Sequence, residues 1–191
     1  MKEQMSLEIL KLMAKDFYVE DIAATILDNP KFPLWSGSSK PTQHHYGDGG
    51  LMQHTYEVVD IALTCNEWFK RLNKNVEPHV LYLSCLFHDY GKIWDYSKTA
   101  GVWHGTQHKK EIHHISRSAI EWNRTVDNYK TKYESIRDIV THAILSHHGL
   151  REWGSPVRPN TRLAWILHLA DNMSARLDDC DKINYENLLS K

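Results

Sequence analysis

Two metal-binding side chains stand next to each other in the stretch Leu86-Phe87-His88-Asp89-Tyr90-Gly91-Lys92, directly after the apolar segment 80–87. An apolar segment of this length predicts a buried helix, and side chains at the end of a packed helix have the rigidity that a metal site needs. An isolated His-Asp pair is also consistent with a hydrogen-bonded pair in a protein core. The rest of the chain therefore has to decide between these two interpretations.

The composition is typical of one folded domain. The chain has 191 residues, of which 41% are hydrophobic and 25% are charged, and this size is sufficient for one well-buried core. No apolar stretch approaches the ~20 residues of a membrane-spanning helix, and residues 1–6 do not resemble a secretion signal. The three distant cysteines predict neither a disulfide framework nor a thiolate zinc site. We therefore expect a cytoplasmic protein that does not insert into membranes.

Helical periodicity extends through most of the chain. Residues 29–50 are rich in Pro, Ser and Gly and are expected to form a long loop, and residues 95–107 are interpreted as an irregular loop. No segment shows sustained strand alternation, so the predicted fold class is all-α. The apolar spacing predicts helices over residues 6–28 (two short helices or one interrupted helix), 51–72, 78–87, 113–122, 133–146 and 162–177.

The chain contains 13 histidines, and several of them lie on the predicted helices or at their ends. Helices that each contribute one His or Asp to a bundle core commonly build metal sites. Imidazole and carboxylate ligands without thiolate suit Zn, Mn, Fe, Co or Ni in a reactive site. The candidate ligands are His54, His88, Asp89, His113 or His114, His147 or His148, and Asp171.

Asp89 is the candidate ligand that can join two ions, because its carboxylate has two oxygens. A pair of ions ~3.5–4 Å apart clamps a phosphate and activates a water molecule. The sequence therefore predicts phosphoester hydrolysis with two divalent transition-metal ions. The formal net charge of −1 excludes an overall basic surface, so any binding of nucleic acid has to be local.

These residues resemble the signature of the HD-domain metal-dependent phosphohydrolases, which consists of an isolated His, an HD dyad and a distal Asp. His54, His88-Asp89 and Asp171 match it in this order. The chain is also similar to the HD domain of YhaM-type 3′-5′ exoribonucleases in the segments 44–45, 49–55, 88–92, 114–115, 145–149, 152–157 and 166–172.

The resemblance implies a helical bundle with a metal site in its core. We expect a single HD domain over residues 1–191, with an N-terminal helical scaffold at 1–28 and the HD core at 44–178. The YhaM-type enzymes carry an OB-type nucleic-acid-binding domain before the HD domain, and 191 residues leave no room for one. A separate nucleic-acid-binding partner is therefore one expectation, and a homo-oligomer is another.

The resemblance also implies how the ligands are divided between two ions. His54, His88, Asp89 and Asp171 would bind the first ion, and Asp89 would bridge to a second ion. Of the two histidine doublets, the resemblance selects His114 and His147 as ligands of this second ion.

Catalytic roles are expected for Asp89 and Lys92. Lys92 can place its ammonium beside a phosphate oxygen that gains charge during attack, although it can also be a solvated lysine at a helix end. His148 is expected to contact the substrate or to support a ligand.

Four further positions have a functional and a structural interpretation. Trp153 can stack on a base, or belong to a purely structural loop. His168 lies one helical turn before Asp171 and can hydrogen-bond this carboxylate, or be a core histidine. Lys109-Lys110 can attract phosphate, although such a pair usually forms a solvated face.

The predicted function is a phosphodiesterase or nuclease that acts on nucleotides or oligonucleotide ends by means of a metal-activated water. The alternatives are a nucleotidase, a dNTP phosphohydrolase or a non-catalytic nucleotide-binding module with the same fold. Every expected ligand position is filled, which argues against the non-catalytic alternative. The Gly-Tyr-Pro extension of cyclic-di-GMP hydrolases is absent, and Tyr90-Gly91-Lys92 replaces the acidic residue of the 5′-nucleotidase branch.

Overall fold

A computed structural model describes residues 2–129 and 131–181 of the chain and shows a helical bundle. The predicted all-α class is confirmed, with one small two-stranded sheet as an addition. The helices are α1 (Lys2–Asp16), α2 (Glu20–Leu27), α3 (Gly50–Lys70), α4 (Pro78–Phe87), α5 (Lys92–Asp95), α6 (Gln107–Glu111), α7 (His114–Tyr129), α8 (Arg137–Ser146) and α9 (Arg162–Asp181). Short 3₁₀ turns cover Phe32–Leu34, Glu134–Ile136 and Arg151–Trp153.

Helix α4 is the centre of the bundle. Its residues 80–87 are all buried, and a helix that is apolar on every side has to be surrounded by other elements. Helices α3, α8 and α9 pack around it, and α2 and α7 also contact it. Pro78 at its first turn suits a helix start, because proline there loses no intrahelical hydrogen bond. The helix therefore delivers His88-Asp89 into the interior of the bundle.

The N-terminal segment forms two helices, because the chain turns at Tyr18 with a φ of 55°. Leu10, Ile22 and Ile26 from these helices are fully buried. Helix α1 packs on α3, and α2 packs on α4 and α7. The N-terminal helices therefore cover one side of the bundle.

Helix α9 has two different faces. Leu163, Leu167 and Ala170 are buried against the bundle, and Asp171 and Ser174 continue this inner face toward the candidate ligands. Helices α3 and α8 are its main neighbours. The outer face exposes large apolar side chains at Trp165, Leu169, Met173 and Leu177.

The interpretation of residues 95–107 as an irregular loop is wrong. They contain a β-hairpin of β1 (Tyr96–Thr99) and β2 (Val102–Gly105), paired from Tyr96↔Gly105 to Thr99↔Val102. Its two turn residues, Ala100 and Gly101, have φ values of 49° and 81°, as tight hairpin turns require. Strands of four residues are too short to show alternation in the sequence.

Several helix ends also differ from their predicted positions. Helix α7 extends to Tyr129 rather than 122, and α8 begins at Arg137 rather than 133, because a 3₁₀ turn precedes it. In the part of the chain that the structure describes, no helix combines the length and the apolar character of a bilayer-spanning segment.

Candidate metal centre

The six predicted ligands come together in the core of the bundle. They belong to five different parts of the chain, each fixed by a packed helix or helix end. Five of them are buried, and the Asp171 side chain is 13% exposed. The contributing positions are His54 in the second turn of α3, His88 and Asp89 after α4, His114 at the start of α7, His147 after α8 and Asp171 within α9.

The first group of ligand atoms consists of His54, His88, Asp89 and Asp171. His54 Nε2 lies 3.0 Å from Asp171 Oδ1 and 3.3 Å from Asp89 Oδ2. His88 Nε2 lies 3.4 Å from Asp89 Oδ2 and 3.3 Å from His54 Nε2. Two nitrogens and two carboxylate oxygens thus converge at separations that suit one bound cation.

The second group uses the other oxygen of the same carboxylate. Asp89 Oδ1 lies 3.4 Å from His114 Nε2 and 3.5 Å from His147 Nε2. His148 Nε2 lies 3.4 Å from His114 Nε2, so this group also includes His148, the member of its doublet that the resemblance did not select as a ligand. Each oxygen of Asp89 therefore faces a different group of imidazoles.

The imidazoles are oriented with Nε2 toward the centre. In His88, His147 and His148, Nδ1 lies 2.6–2.7 Å from a backbone carbonyl oxygen. Because a carbonyl only accepts hydrogen bonds, Nδ1 is the donor in each case, and Nε2 is the nitrogen left to face the centre. The accepting carbonyls are those of Cys85, Ile144 and Trp153.

This donor set fits metal ions. Asp89 Oδ1 and His147 Nε2 are buried and have no hydrogen-bond partner among the described residues, an arrangement that is costly unless a cation binds them. Burial lowers the pKa of His88, but the Asp89 and Asp171 carboxylates outweigh burial and raise this pKa to about 10. The centre thus favours positive charge, and it contains no thiolate.

Lys92 lies beside the bridging carboxylate. Its side chain is buried, with Nζ 2.6 Å from Asp89 Oδ2, so the alternative of a solvated helix-end lysine is wrong. Burial lowers its pKa, but Asp89 outweighs burial and raises the pKa, so the ammonium stays charged. The positive charge that the sequence analysis predicted beside a substrate phosphate is therefore provided at the centre by the Lys92 ammonium.

The region of the chain that contains the candidate ligands also matches a known protein family. A family model described as HD domain matches residues 51–176. The chain belongs to the HD domain family. Members of this family are in general metal-dependent phosphohydrolases. No solved structure has significant similarity to this HD domain.

Asp95 orients His114 in this HD domain, a role that sequence reasoning missed. Arg117 Nε donates to His108 Nε2 at 3.0 Å, so the proton of His108 is on Nδ1, which lies 2.8 Å from Asp95 Oδ1. Asp95 Oδ2 accepts from the backbone N–H of His114 at 2.9 Å and from its Nδ1 at 3.0 Å. This network directs His114 Nε2 at Asp89, as supporting carboxylates do for ligating histidines.

Glu57 supports His54 through a serine, and this role was also missed. Ser174 Oγ donates to Glu57 Oε2 at 2.8 Å and accepts from His54 Nδ1 at 3.0 Å. His45 Nε2 donates to the same carboxylate at 2.9 Å. Burial raises the pKa of Glu57, but hydrogen bonds from His45 and Gln53 outweigh burial and lower this pKa to about 2.

Glycines allow the close approaches that build the centre. A Cβ at Gly91 would lie 2.3 Å from the carbonyl oxygen of His114, so glycine lets the dyad turn meet α7. At Gly149, φ is 82° and a Cβ would lie 2.4 Å from His168. His168 donates from Nδ1 to the carbonyl of His147 at 2.7 Å, so it contacts the backbone of this candidate ligand and not the Asp171 carboxylate, which was one of its two predicted roles.

A cavity of about 280 Å³ lies beside the centre. Trp153 stands at its rim and is 49% exposed, which leaves its ring accessible. His113, the unselected member of its doublet, lines the cavity and contacts His114, with ring centroids 4.1 Å apart and ring planes tilted by 39°. Lining side chains that can bind anions or bases include His44, Lys92, Lys109, His148 and Arg176.

Proposed function

We propose that this HD domain is a two-metal phosphodiesterase that acts on nucleotides or oligonucleotide ends. The observation that carries the proposal is the Asp89 carboxylate. Its Oδ2 faces His54 and His88 at 3.3 and 3.4 Å, and its Oδ1 faces His114 and His147 at 3.4 and 3.5 Å. A buried carboxylate shared in this way is suited to bridge two cations.

The residues divide into two ligand sets. His54, His88 and Asp171 would hold one ion, His114 and His147 the other, and Asp89 would bind both. Two divalent ions of Mn, Fe, Ni, Co or Zn would supply polarisation of a phosphoryl oxygen and activation of water. The position of His148 supports a role as a further nitrogen ligand of the second set, in place of the substrate contact predicted from the sequence.

The other cavity residues would bind and orient the phosphoester. Lys92 brings a fixed ammonium to the centre, where it would stabilise the negative charge that grows on the phosphoryl oxygens. The exposed ring of Trp153 would stack on a base of the substrate. The buried Lys92 side chain is held by Asp89 before the substrate arrives, which favours catalysis.

The choice of a phosphodiester rests on the similarity to YhaM-type exoribonucleases. We propose this relationship on the segments between residues 44 and 172 that resemble these enzymes. A cytoplasmic location agrees with the free thiols of Cys65, Cys85 and Cys180. A nucleotidase or a dNTP phosphohydrolase would use the same metal centre, but its cavity would prefer a nucleoside monophosphate or a dNTP as the substrate.

A substrate panel with Mn²⁺ tests the proposal. It compares short RNA, short DNA, cyclic nucleotides, nucleoside monophosphates and dNTPs. We expect hydrolysis of a phosphodiester and its loss in Asp89→Ala, by a factor of at least ~10³ in kcat, because the variant removes a ligand of both ions. The matched control is Asp60→Ala, an exposed carboxylate on α3, which should keep wild-type turnover.

Each result of this panel has a defined meaning. Unchanged turnover in a folded Asp89→Ala variant would refute the mechanism. Cleavage confined to monophosphates or to dNTPs would replace the phosphodiesterase by one of the two alternatives. A wild-type protein that binds metal and nucleotide without turning over any member of the panel would favour the non-catalytic module.

A further inference from the structure

A half-buried lysine faces the cavity with only neutral partners. Lys109 Nζ lies 3.2 Å from Ser39 Oγ and 3.4 Å from Tyr96 OH, and it stands over the Tyr96 ring at 4.7 Å. Among the side chains that the structure describes, those of residues 5–129 and 131–180, no carboxylate forms an ion pair with this ammonium. The two other cations of the cavity do have carboxylate partners: Asp89 for Lys92 and Asp179 for Arg176.

The position of Lys109 is fixed by the hairpin and by α6. Thr106 caps α6, and its side-chain oxygen accepts from the backbone N–H of Lys109. Gly105, the last residue of β2, lies against the lysine stem, where a Cβ would be 3.4 Å from its Cδ. The ammonium therefore belongs to the cavity wall, whereas the neighbouring Lys110 is exposed.

The electrostatics of the cavity favour an anion at this place. Burial lowers the pKa of Lys109 and outweighs the attraction of Asp95, which forms no ion pair with it, so the charged form has lost hydration that no contacting carboxylate replaces. The cations among the described lining residues are Lys92, Lys109 and Arg176, and of these three Lys109 is the one whose ammonium has no carboxylate in ion-pair contact.

The two lysines occupy different positions relative to the centre. Lys92 contacts Asp89 directly, so its ammonium lies where it would bind the phosphate that is attacked. Lys109 contacts Ser39 and Tyr96 instead, and its ammonium makes no hydrogen bond or ion pair with a candidate ligand. A single phosphate at the centre would satisfy Lys92 and leave Lys109 without a counter-charge.

We propose that Lys109 binds a second phosphate of the substrate, next to the one held at the metal centre, so that the preferred substrates carry at least two successive phosphates. The inference rests on the proposed function for the position of the first phosphate. Two sources share this chemistry: the diphosphate of a single nucleotide, and two consecutive phosphates along an oligonucleotide.

The test measures binding of probes that resist hydrolysis, in the presence of Mn²⁺. One pair is AMP phosphorothioate and α,β-methylene-ADP, and the other is the phosphorothioate dinucleotide dTdT with and without a 5′-phosphate. Lys109→Gln should weaken the two-phosphate probe of the preferred pair about 10- to 100-fold and the one-phosphate probe less than about 2-fold, as expected for one charge-assisted contact. The matched control, Lys110→Gln, should change neither.

If Lys109→Gln weakens α,β-methylene-ADP, the second phosphate is that of a nucleoside diphosphate. If it weakens the 5′-phosphorylated dinucleotide, the second phosphate belongs to an oligonucleotide. Lys109→Arg should restore most of the lost affinity, because the charge is kept. Lys109→Met keeps the stem that packs on Tyr96, so a loss shared by the Gln and Met variants at unchanged Tm reflects the charge. Equal weakening of one- and two-phosphate probes, or no weakening in either pair, would overturn the inference.

This outcome is independent of turnover. A wild-type protein that binds two-phosphate probes through Lys109 but hydrolyses nothing would contradict the proposed function and leave the second phosphate site in place.

Discussion

At the scale of single residues, the two oxygens of the Asp89 carboxylate have different environments. Its Oδ2 receives the Lys92 ammonium at 2.6 Å, and its Oδ1 is buried without a hydrogen-bond partner among the described residues. The dyad and the other ligands could be predicted because the family pattern places them in a fixed order. Asp95 and Glu57 could not, because their partners lie 19 and 117 residues away along the chain.

Asp95→Asn tests the network behind His114. The amide can no longer accept from both His108 and His114, so His114 should lose its fixed orientation. We expect the affinity for the second ion to fall about 10- to 100-fold while the first ion stays bound. Metal analysis at a free Mn²⁺ concentration that just saturates the wild type should therefore approach two ions per chain in the wild type and one in the variant.

The matched control for this prediction is Asp48→Asn. Asp48 pairs with Lys98 and Trp103 of the same hairpin but contacts no candidate ligand. Two ions at wild-type affinity in Asp95→Asn would show that the network does not position His114. One ion in the wild type itself would instead refute the assignment of His114 and His147 to a second ion.

At the scale of elements, the long helices could be predicted and the hairpin could not. Helices α3 and α9 show the apolar spacing over five turns, whereas β1 and β2 have four residues each. The hairpin still matters for the centre, because the backbone N–H of Thr106 donates to the carbonyl of Asp95 at 2.9 Å and returns the chain toward α6. Its stability depends on the Ala100-Gly101 turn.

Gly101→Ala tests this turn. A Cβ at Gly101 meets nothing within 4 Å, so its φ of 81° is the only source of strain, and the free energy of unfolding should fall by about 1 kcal/mol. Ala100→Asn should act in the opposite direction, because Asn tolerates the φ of 49° at this position better than Ala. Urea denaturation measures both changes, and a stabilising Gly101→Ala would contradict the turn geometry.

At the scale of the whole molecule, the N-terminal segment forms hydrogen bonds to the helix and the turn that carry the dyad. Tyr82 OH of α4 donates to the carbonyl of Leu10 at 2.8 Å. Asn29 donates to Tyr90 OH at 2.7 Å, directly beside the dyad. Residues 2–27 lie outside the matched region 51–176, yet they pack against it. A single domain over residues 1–191 therefore stays a prediction that these contacts favour.

Asp21→Asn tests this attachment and its dependence on pH. Burial raises the pKa of Asp21, but hydrogen bonds from Tyr133 and Lys132 outweigh burial and lower this pKa below 3.8. A depressed folded-state pKa gives stability that is present above the unfolded pKa and is lost as pH falls through the folded pKa. The variant should therefore lose about 1 kcal/mol of unfolding free energy at pH 7 and progressively less below pH ~3.8.

Urea denaturation at pH 7 and at pH 3 measures this difference. The exposed Asp60→Asn is the control and should change stability little at either pH. A loss for Asp21→Asn that is equally large at both pH values would show that the charge of Asp21 is not its source.

The ligands of the proposed centre extend from His54 to Asp171, and this spacing has a mechanical consequence. Ions bound there would act as reversible cross-links that close long chain loops around α4 and tie α3, α7, α8 and α9 to it. Since an unfolded chain cannot assemble these ligands, each ion would shift the folding equilibrium by its own binding free energy. The supply of metal would then determine how long the folded protein persists, as well as how fast it works.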